Sequence, residues 1–519
     1  MTNSINTPVN FTFNIGAQDK TGDDLVVKDE NSPFCMAIMG DFSGRKNKPI
    51  TEKLSQRAFK LIDSYDYDEV LAGFGINLQL DMGNENVVTV PINKFKDFHP
   101  DQLYKNVSAF ATLRDLRKRL QNNATFDKAA SEIQGWLVPA DEPDIQTVEP
   151  AIEVTSPEVT GAEPVATDNL LDSILEETVS QSNTPVTTVD SAGSASKKES
   201  LVEGFIQQMM ANRVKVSAKP RKDEMLAAVD DSISELMRSI LHHPDYQTLE
   251  STWQAVRFLV RRIKSGKRIK LFLLDVTKDE MNQDLSIDDV TQSSLYAMLT
   301  GSSFGDIDWS LIVGDCRFSD TVDDILLLSQ LGFIAKNTDA VFISAADEKL
   351  VGCESFETTP DVNRWDYDME KNVSDAWSLL RQSDIAQHIS LALPSFLIRE
   401  PYSPVNNPIK SFSFDEMLQS VQHSSYLWAN AAYFKAEQFA RAFMKDGWNM
   451  QMGEVTKTGD LPMYAYEEKG KTIIKPCAEI SLTDVGAVRI QEQGIIPLWT
   501  VKDSDRIYSG EFYSLAYQD

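Results

Sequence analysis

The sequence predicts an α/β protein: two α/β domains with mixed sheets covered by helices, joined by an acidic, disordered linker. Three observations predict it. Short apolar runs bounded by glycine or proline alternate with stretches of helical periodicity on both sides of a central gap. The gap, residues 141–200, holds thirteen Asp/Glu, two Lys and five prolines, a net charge of −11. No aromatic residue occurs between Trp136 and Phe205, so this stretch cannot bury enough apolar surface to offset its chain entropy. The flanking segments can: the chain has 519 residues, 42 % hydrophobic and 9 % aromatic. The expected units are therefore 1–140, the linker 141–200, and 201–519.

In the first segment, residues 1–30 are polar and read as extended. Met1-Thr-Asn-Ser-Ile-Asn-Thr7 has neither a basic n-region nor an apolar h-region, so no Sec signal is expected. Phe34-Cys-Met-Ala-Ile-Met39 is a short apolar run that reads as a strand, ended by Gly40-Asp-Phe-Ser-Gly-Arg45. A strand running into a glycine-bracketed turn is where a phosphate loop would sit, which makes a nucleotide-dependent enzyme one reading. The Walker pattern has four residues between its glycines and a Lys-Ser/Thr after the second. Here three intervene and Arg45-Lys46-Asn47 follow, so a turn that uses glycine for backbone freedom is preferred. Ile76–Met82 alternates like a half-buried strand, with Val87–Ile92 as its partner across Gly83-Asn84. Leu113, Leu116 and Leu120 then share a helical stripe, and a further helix is expected from Phe126 to Leu137.

One island interrupts the linker. In Asp168–Thr178, the side chains of Leu170, Leu171, Ile174 and Leu175 would line one face of a short helix capped by Asp168 or Thr167. In a stretch that otherwise avoids apolar residues, this reads as a peptide that folds onto a partner's groove rather than an accident of composition.

The second segment opens on two amphipathic helices. Leu226, Val229, Ile233, Leu236, Ile240 and Leu241 recur at steps of three and four, and Leu249, Trp253, Val256, Leu259, Val260 and Ile263 restart the pattern. Pro244 between them ends the first helix near His243. Buried strands are expected at Ile269–Val276, Trp309–Val313, Ala340–Ser344 and His388–Leu393, with helices at Asp320–Lys336 and Glu370–Gln382. A helix from Tyr426 to Asp446 and β-rich sequence from Thr472 to Leu515 follow.

Candidate chemistry is sparse. His242, His243 and Asp245 resemble a metal corner. They lack the i, i+4 spacing of a zinc helix and a clear third ligand, so the imidazoles are expected to cap the first helix's carbonyls. Gly314-Asp315 sits at a strand end suited to a catalytic carboxylate, but no nucleophile elbow or dinucleotide fingerprint accompanies it. The four cysteines, Cys35, Cys316, Cys353 and Cys477, have no metal or redox spacing, and Cys35 and Cys316 read as buried thiols. No catalytic, cofactor or metal site is assigned. A net charge of −28 argues against nucleic acid as a partner. No run approaches the ~18–20 apolar residues of a membrane span, so a cytoplasmic chain without membrane insertion is expected.

Taken together, the motifs carry a resemblance. Residues 200–510 resemble the large subunit of the type VI secretion contractile sheath (TssC/VipB type). The supporting stretches are Ile240–Gln247 with Trp253, Leu311-Ile-Val-Gly-Asp315, Leu391–Arg399 with Pro401-Tyr402, and Asn407–Phe412. Tyr426–Ala432, Gly447-Trp448 and Gly494–Leu498 complete the set. The N-terminal part is similar to the small sheath subunit (TssB/VipA type) at Met39–Arg45, Lys96-Asp-Phe-His-Pro100 and Leu113-Arg-Asp-Leu-Arg117. The resemblance implies a non-enzymatic, fused sheath-like protomer whose partners are copies of itself or other sheath subunits, the inner-tube protein and baseplate components. It also implies that Leu170, Leu171, Ile174 and Leu175 match the helix on which the recycling AAA+ ATPase ClpV docks. The large-subunit resemblance stops near Leu515, short of the family's C-terminal segment. A second role follows from that: an accessory protein that caps, initiates or limits sheath assembly.

Overall fold

The computed structural model describes residues 31–47, 52–83, 86–137, 204, 221–263, 266–301, 307–418, 422–450, 456–468 and 470–517. The expected linker 141–200, and with it Leu170, Leu171, Ile174 and Leu175, lies outside the described residues. In chain order the first strands are β1 (Phe34–Gly40), β2 (Lys60–Ile62), β3 (Ile76–Asp81), β4 (Val87–Ile92), β5 (Ile269–Asp275), β6 (Trp309–Phe318) and β7 (Val341–Ala346). Next come β8 (Ile389–Leu393), β9 (Phe396–Leu397), β10 (Trp428–Ala429), β11 (Thr456–Thr458) and β12 (Tyr464–Glu468). The last are β13 (Lys471–Lys475), β14 (Ile495–Thr500) and β15 (Ile507–Ser509). The first helices are α1 (Tyr67–Ala72), α2 (Pro100–Asn106), α3 (Ala111–Gln121), α4 (Phe126–Leu137), α5 (Lys222–Leu241) and α6 (Pro244–Arg262). They are followed by α7 (Lys278–Leu285), α8 (Ser294–Thr300), α9 (Val322–Asn337), α10 (Lys371–Gln382), α11 (Ala431–Asp446) and α12 (Asp484–Glu492).

The chain divides into two compact units, one made of residues up to Arg117 together with those from Val229 onward, the other of Lys118–Ala228. In the second, Leu120, Ala129, Ala130, Ile133 and Met225 are buried, and Arg119 pairs with Glu132 at 2.6 Å.

The first unit is built on a nine-stranded sheet of order β11-β15-β14-β8-β7-β6-β1-β5-β2. The six strands from β14 to β5 run parallel. The outer strands β2, β15 and β11 are antiparallel to their neighbours. β1 comes from the first segment yet lies between β5 and β6 of the second: Ala37 stands opposite Phe272 on one side and Ile312 on the other. Parallel strands covered on both faces read as continuous apolar runs, and all seven residues of β1 are buried. On one face Cys35, Ala37, Met39, Ile312, Phe342 and Leu391 join a core with Leu328, Leu331 and Ile334 of α9. That helix approaches β8 so closely that a Cβ on Gly332 would lie 2.5 Å from Ile389.

The first segment keeps one sheet of its own, the β3–β4 hairpin, in the register Ile76↔Ile92 to Asp81↔Val87. Ile76, Leu78 and Leu80 are buried while Asn77, Gln79 and Asp81 are exposed, the alternation expected of a strand with one wet face. The turn uses Gly83 at φ +84°.

Two expectations shift. The helix expected from Tyr426 starts at Ala431, because Trp428–Ala429 pairs with Phe396–Leu397 as a short antiparallel ladder. Asn430 then caps the helix by accepting the Ala432 N–H at 2.8 Å. The β-rich stretch after Thr472 contains helix α12, where Thr483 takes the N-cap and accepts the Gly486 N–H at 3.3 Å. Among the described residues no helix is long and apolar enough to cross a membrane.

Candidate functional site

Helix α6 is where the two segments meet. Its apolar stripe includes Tyr246, Leu249, Trp253, Val256 and Leu259, all buried. Trp253 is fully buried and packs edge-on against Phe42, Tyr67 and Phe74 of the first segment, with ring centroids 5.5–5.7 Å apart. Its indole N–H donates to the Phe42 carbonyl at 2.9 Å, and Tyr67 donates back to the Trp253 carbonyl at 2.6 Å. Two turns earlier, Tyr246 donates to the Phe98 carbonyl at 2.8 Å. The sequence shows Trp253 as a position on the helix's apolar stripe; the structure places it as a peg into the first segment.

The His-His-Pro-Asp corner is also sharper than expected. α5 ends at Leu241 and α6 begins at Pro244, where a missing N–H costs nothing. His243, with extended backbone, occupies the N-cap of the second helix, and its Nδ1 accepts the Asp245 N–H at 3.2 Å. The imidazole therefore caps the start of α6 and not the carbonyl end of α5, because Pro244 sets the chain direction before His243 can fold back. His242 turns the other way, 3.6 Å from Glu416. Among the described residues no three His, Cys, Asp or Glu side chains converge as a metal site.

The Gly40–Arg45 turn, read above as a possible phosphate loop, has its donors engaged within the protein. The Phe42 and Ser43 N–H groups donate to Asp275 Oδ1 at 2.8 and 3.2 Å, and the Ser43 hydroxyl to Oδ2 at 2.7 Å. The Arg45 and Lys46 N–H groups donate to Asp41 at 2.7 and 3.1 Å. Two carboxylates thus stand where a phosphate loop would put its phosphates. Gly44 sits at φ +71° with Leu78 Cδ1 3.0 Å from where its Cβ would be. Arg57 extends this seam: it donates to the Asp275 carbonyl at 2.7 Å and pairs with buried Glu280. Asp315, on β6 and half-buried, lies behind the turn, and Thr252 of α6 donates to it at 2.7 Å. Burial raises the Asp315 carboxyl to about 6, with the Thr252 bond acting in the opposite direction. It is enclosed by protein groups and ties α6 to the sheet.

Two arginine clusters, one around buried Arg399 and one around half-buried Arg317, escaped the sequence reading. Arg399 pairs with Glu250 of α6 at 2.8 Å and, as a fork, with Glu416 at 2.8 and 3.0 Å. The Tyr402 N–H also donates to Glu416 at 2.8 Å. Burial alone would raise Glu416, but the Arg399 charge and these donors hold it down at about 2. In the second cluster Arg317 contacts Glu348 at 2.9 Å and Glu479 at 3.6 Å, and His423 lies 3.0 Å from Glu479. Glu479 is likewise held at about 2: burial opposes ionisation, while His423 and Arg317 favour it. A lone Arg399 beside an apolar run was the available signal. Its partners lie 17 and 149 residues away in sequence, and no spacing announces them.

The charged groups around α6 pair with one another and with backbone groups, as in a buried joint. Comparisons with known proteins agree in kind. Residues 223–514 match the family described as "EvpB/VC_A0108, tail sheath N-terminal domain". Residues 13–133 match "Type VI secretion system, VipA, VC_A0107 or Hcp2". The type VI secretion system sheath protein TssC1 of Pseudomonas aeruginosa is 28 % identical over 293 residues, covering 54 % of this chain and 59 % of that protein. The chain thus spans somewhat over half the length of the curated relative it matches. It belongs to the EvpB/VC_A0108 tail sheath family, and carries VipA-type sequence ahead of the sheath segment in the same polypeptide.

Proposed function

We propose that this chain is a fused sheath-like protomer, a non-enzymatic structural component of a type VI secretion machine. One observation carries the reading. The VipA-type segment supplies β1, and β1 fills the place between β5 and β6 in the sheet of the tail-sheath segment. A single polypeptide therefore makes a complete two-segment body, and fusion fixes the stoichiometry of the halves and raises their effective concentration.

In this reading the protomer works in the cytoplasm and assembles with copies of itself or with separate sheath subunits around the inner tube, meeting baseplate components at one end. Leu170, Leu171, Ile174 and Leu175 offer the ATPase ClpV a docking face; Leu171→Asp with Ile174→Asp should abolish that binding without altering thermal unfolding. Electron microscopy of the purified chain, alone and mixed with inner-tube protein, tests the main reading. Regular tubules are expected. Particles that only decorate the ends of tubes built by other subunits would replace it with the accessory role.

A further inference from the structure

A cleft of about 750 Å³ opens on the first unit where α6 passes Phe95 and the start of α2. Its size falls within the usual range of ligand sites, roughly 300–1,000 Å³. Phe98 and Tyr402, both buried, form part of its wall, and Tyr65, 95 % exposed, stands at its edge. Arg257 and Arg261, one turn apart on α6, line it with Lys96. The Arg257 guanidinium lies 3.7 Å from the Phe95 ring centroid.

The charge balance of this cleft is opposite to that of the whole chain, which carries −28. Among the described residues no carboxylate stands within ion-pair distance of Arg257, Arg261 or Lys96. The two carboxylates in the lining accept from backbone donors: Asp68, whose charge also acts on Arg257, accepts the Phe95 N–H at 2.8 Å, and Asp101 accepts those of Lys410 and Ser411 at 3.0 and 2.8 Å. Like charges spaced i, i+4 on a helix repel, so the Arg257–Arg261 pair is held here at a cost that an anion would relieve. Backbone amides offer that anion little. Those of Asn93 and Lys94 donate to Asp97, and that of Asp101 to His99. Recognition therefore falls to guanidinium forks, which suit carboxylates, and to aromatic faces.

We infer that the cleft binds an acidic peptide segment of a partner polypeptide. Its carboxylates would meet Arg257, Arg261 and Lys96, and an aromatic side chain would lie against Phe95 and Tyr65. The inference stands apart from sheath assembly, since an unassembled chain can be tested.

The probe is a fluorescein-labelled, capped peptide of alternating aspartate and phenylalanine, titrated with the full chain and followed by anisotropy at low and high salt. Saturable, salt-weakened binding is expected, reduced roughly tenfold or more by Arg261→Gln with Lys96→Gln. Both side chains are exposed, so thermal unfolding should stay unchanged in that variant. Tyr65→Ala, and a peptide with serine in place of phenylalanine, should each weaken binding as well. Absence of saturation at about 1 mM peptide would overturn the inference. So would equal binding by the charge variant or by the serine peptide. Displacement of the peptide by pyrophosphate at lower concentration than by the unlabelled peptide would reassign the cleft to a phosphate ligand.

Discussion

Strand β1 and hairpin β3–β4 come from the same short stretch of the first segment, and they are stabilised in opposite ways. The hairpin finds its partner across one turn, buries Leu78, Leu80, Val88 and Val90 on one face, and leaves the other to water. β1 has no local partner. It is buried along its whole length only because residues 269–275 and 309–314 close on it from both sides. Local pairing costs little loop entropy, whereas β1 must wait for a closure of more than two hundred residues. One segment thus contains a ladder that closes locally and a strand that pairs only with distant parts of the chain.

Substitutions should separate the two. Ala37→Asp puts an unpaired charge in the middle of β1 and is expected to remove the folded state, a loss of at least ~3–5 kcal/mol. Gln79→Asp, on the exposed face of β3, should change stability by no more than about 0.5 kcal/mol. Urea unfolding of both variants measures the contrast, and similar midpoints would erase it.

The joint itself can be loosened from the other side. Arg399→Met strands Glu250 and Glu416 as buried carboxylates and should cost ~3–5 kcal/mol by chemical denaturation. The two arginine clusters together set an acid limit. Glu416 and Glu479 are held at about 2 against an ordinary 4.5. The unfolded chain therefore takes up their protons first on acidification. Their stabilisation is complete above about pH 4.5 and is lost as the pH falls toward about 2. It amounts to about 3 kcal/mol per group, partly offset by raised carboxyls such as Glu250. A stability profile that stayed flat across that window would contradict the pairing. A smaller loss than that of Arg399→Met is expected of Trp253→Phe. It keeps one aromatic ring, loses the bond to the Phe42 carbonyl and leaves a cavity where the larger, fully buried indole stood, about 2–3 kcal/mol, read as a lowered unfolding midpoint.

The contrast also explains what the sequence could disclose. Periodicity is a local signal, so the hairpin, α3, α4 and the two helices around Pro244 were legible nearly to their ends. The apolar run 34–39 announced a buried strand and nothing about its neighbours, because a strand buried on both faces carries no pattern that names a partner. Trp253 was legible as a packing residue, but its direction depends on Phe42, Tyr67 and Phe74, which only the folded chain brings together. The turn at Gly40–Arg45 could be separated from a phosphate loop by spacing; that Asp275 fills it could not. Helix α12 was missed because Asp484–Glu492 carries a weak apolar stripe, with Val485 and Val488 exposed. The Arg399 and Arg317 clusters join residues too distant for any motif.

The most direct test of the shared sheet is to place a specific protease site within residues 141–200, cleave the folded chain, and run size exclusion with circular dichroism. A sheet in which β1 lies between β5 and β6 predicts that the two fragments co-elute with an unchanged spectrum and part only in denaturant. Fragments that separate under native conditions, with the larger one retaining its full sheet signal, would contradict it.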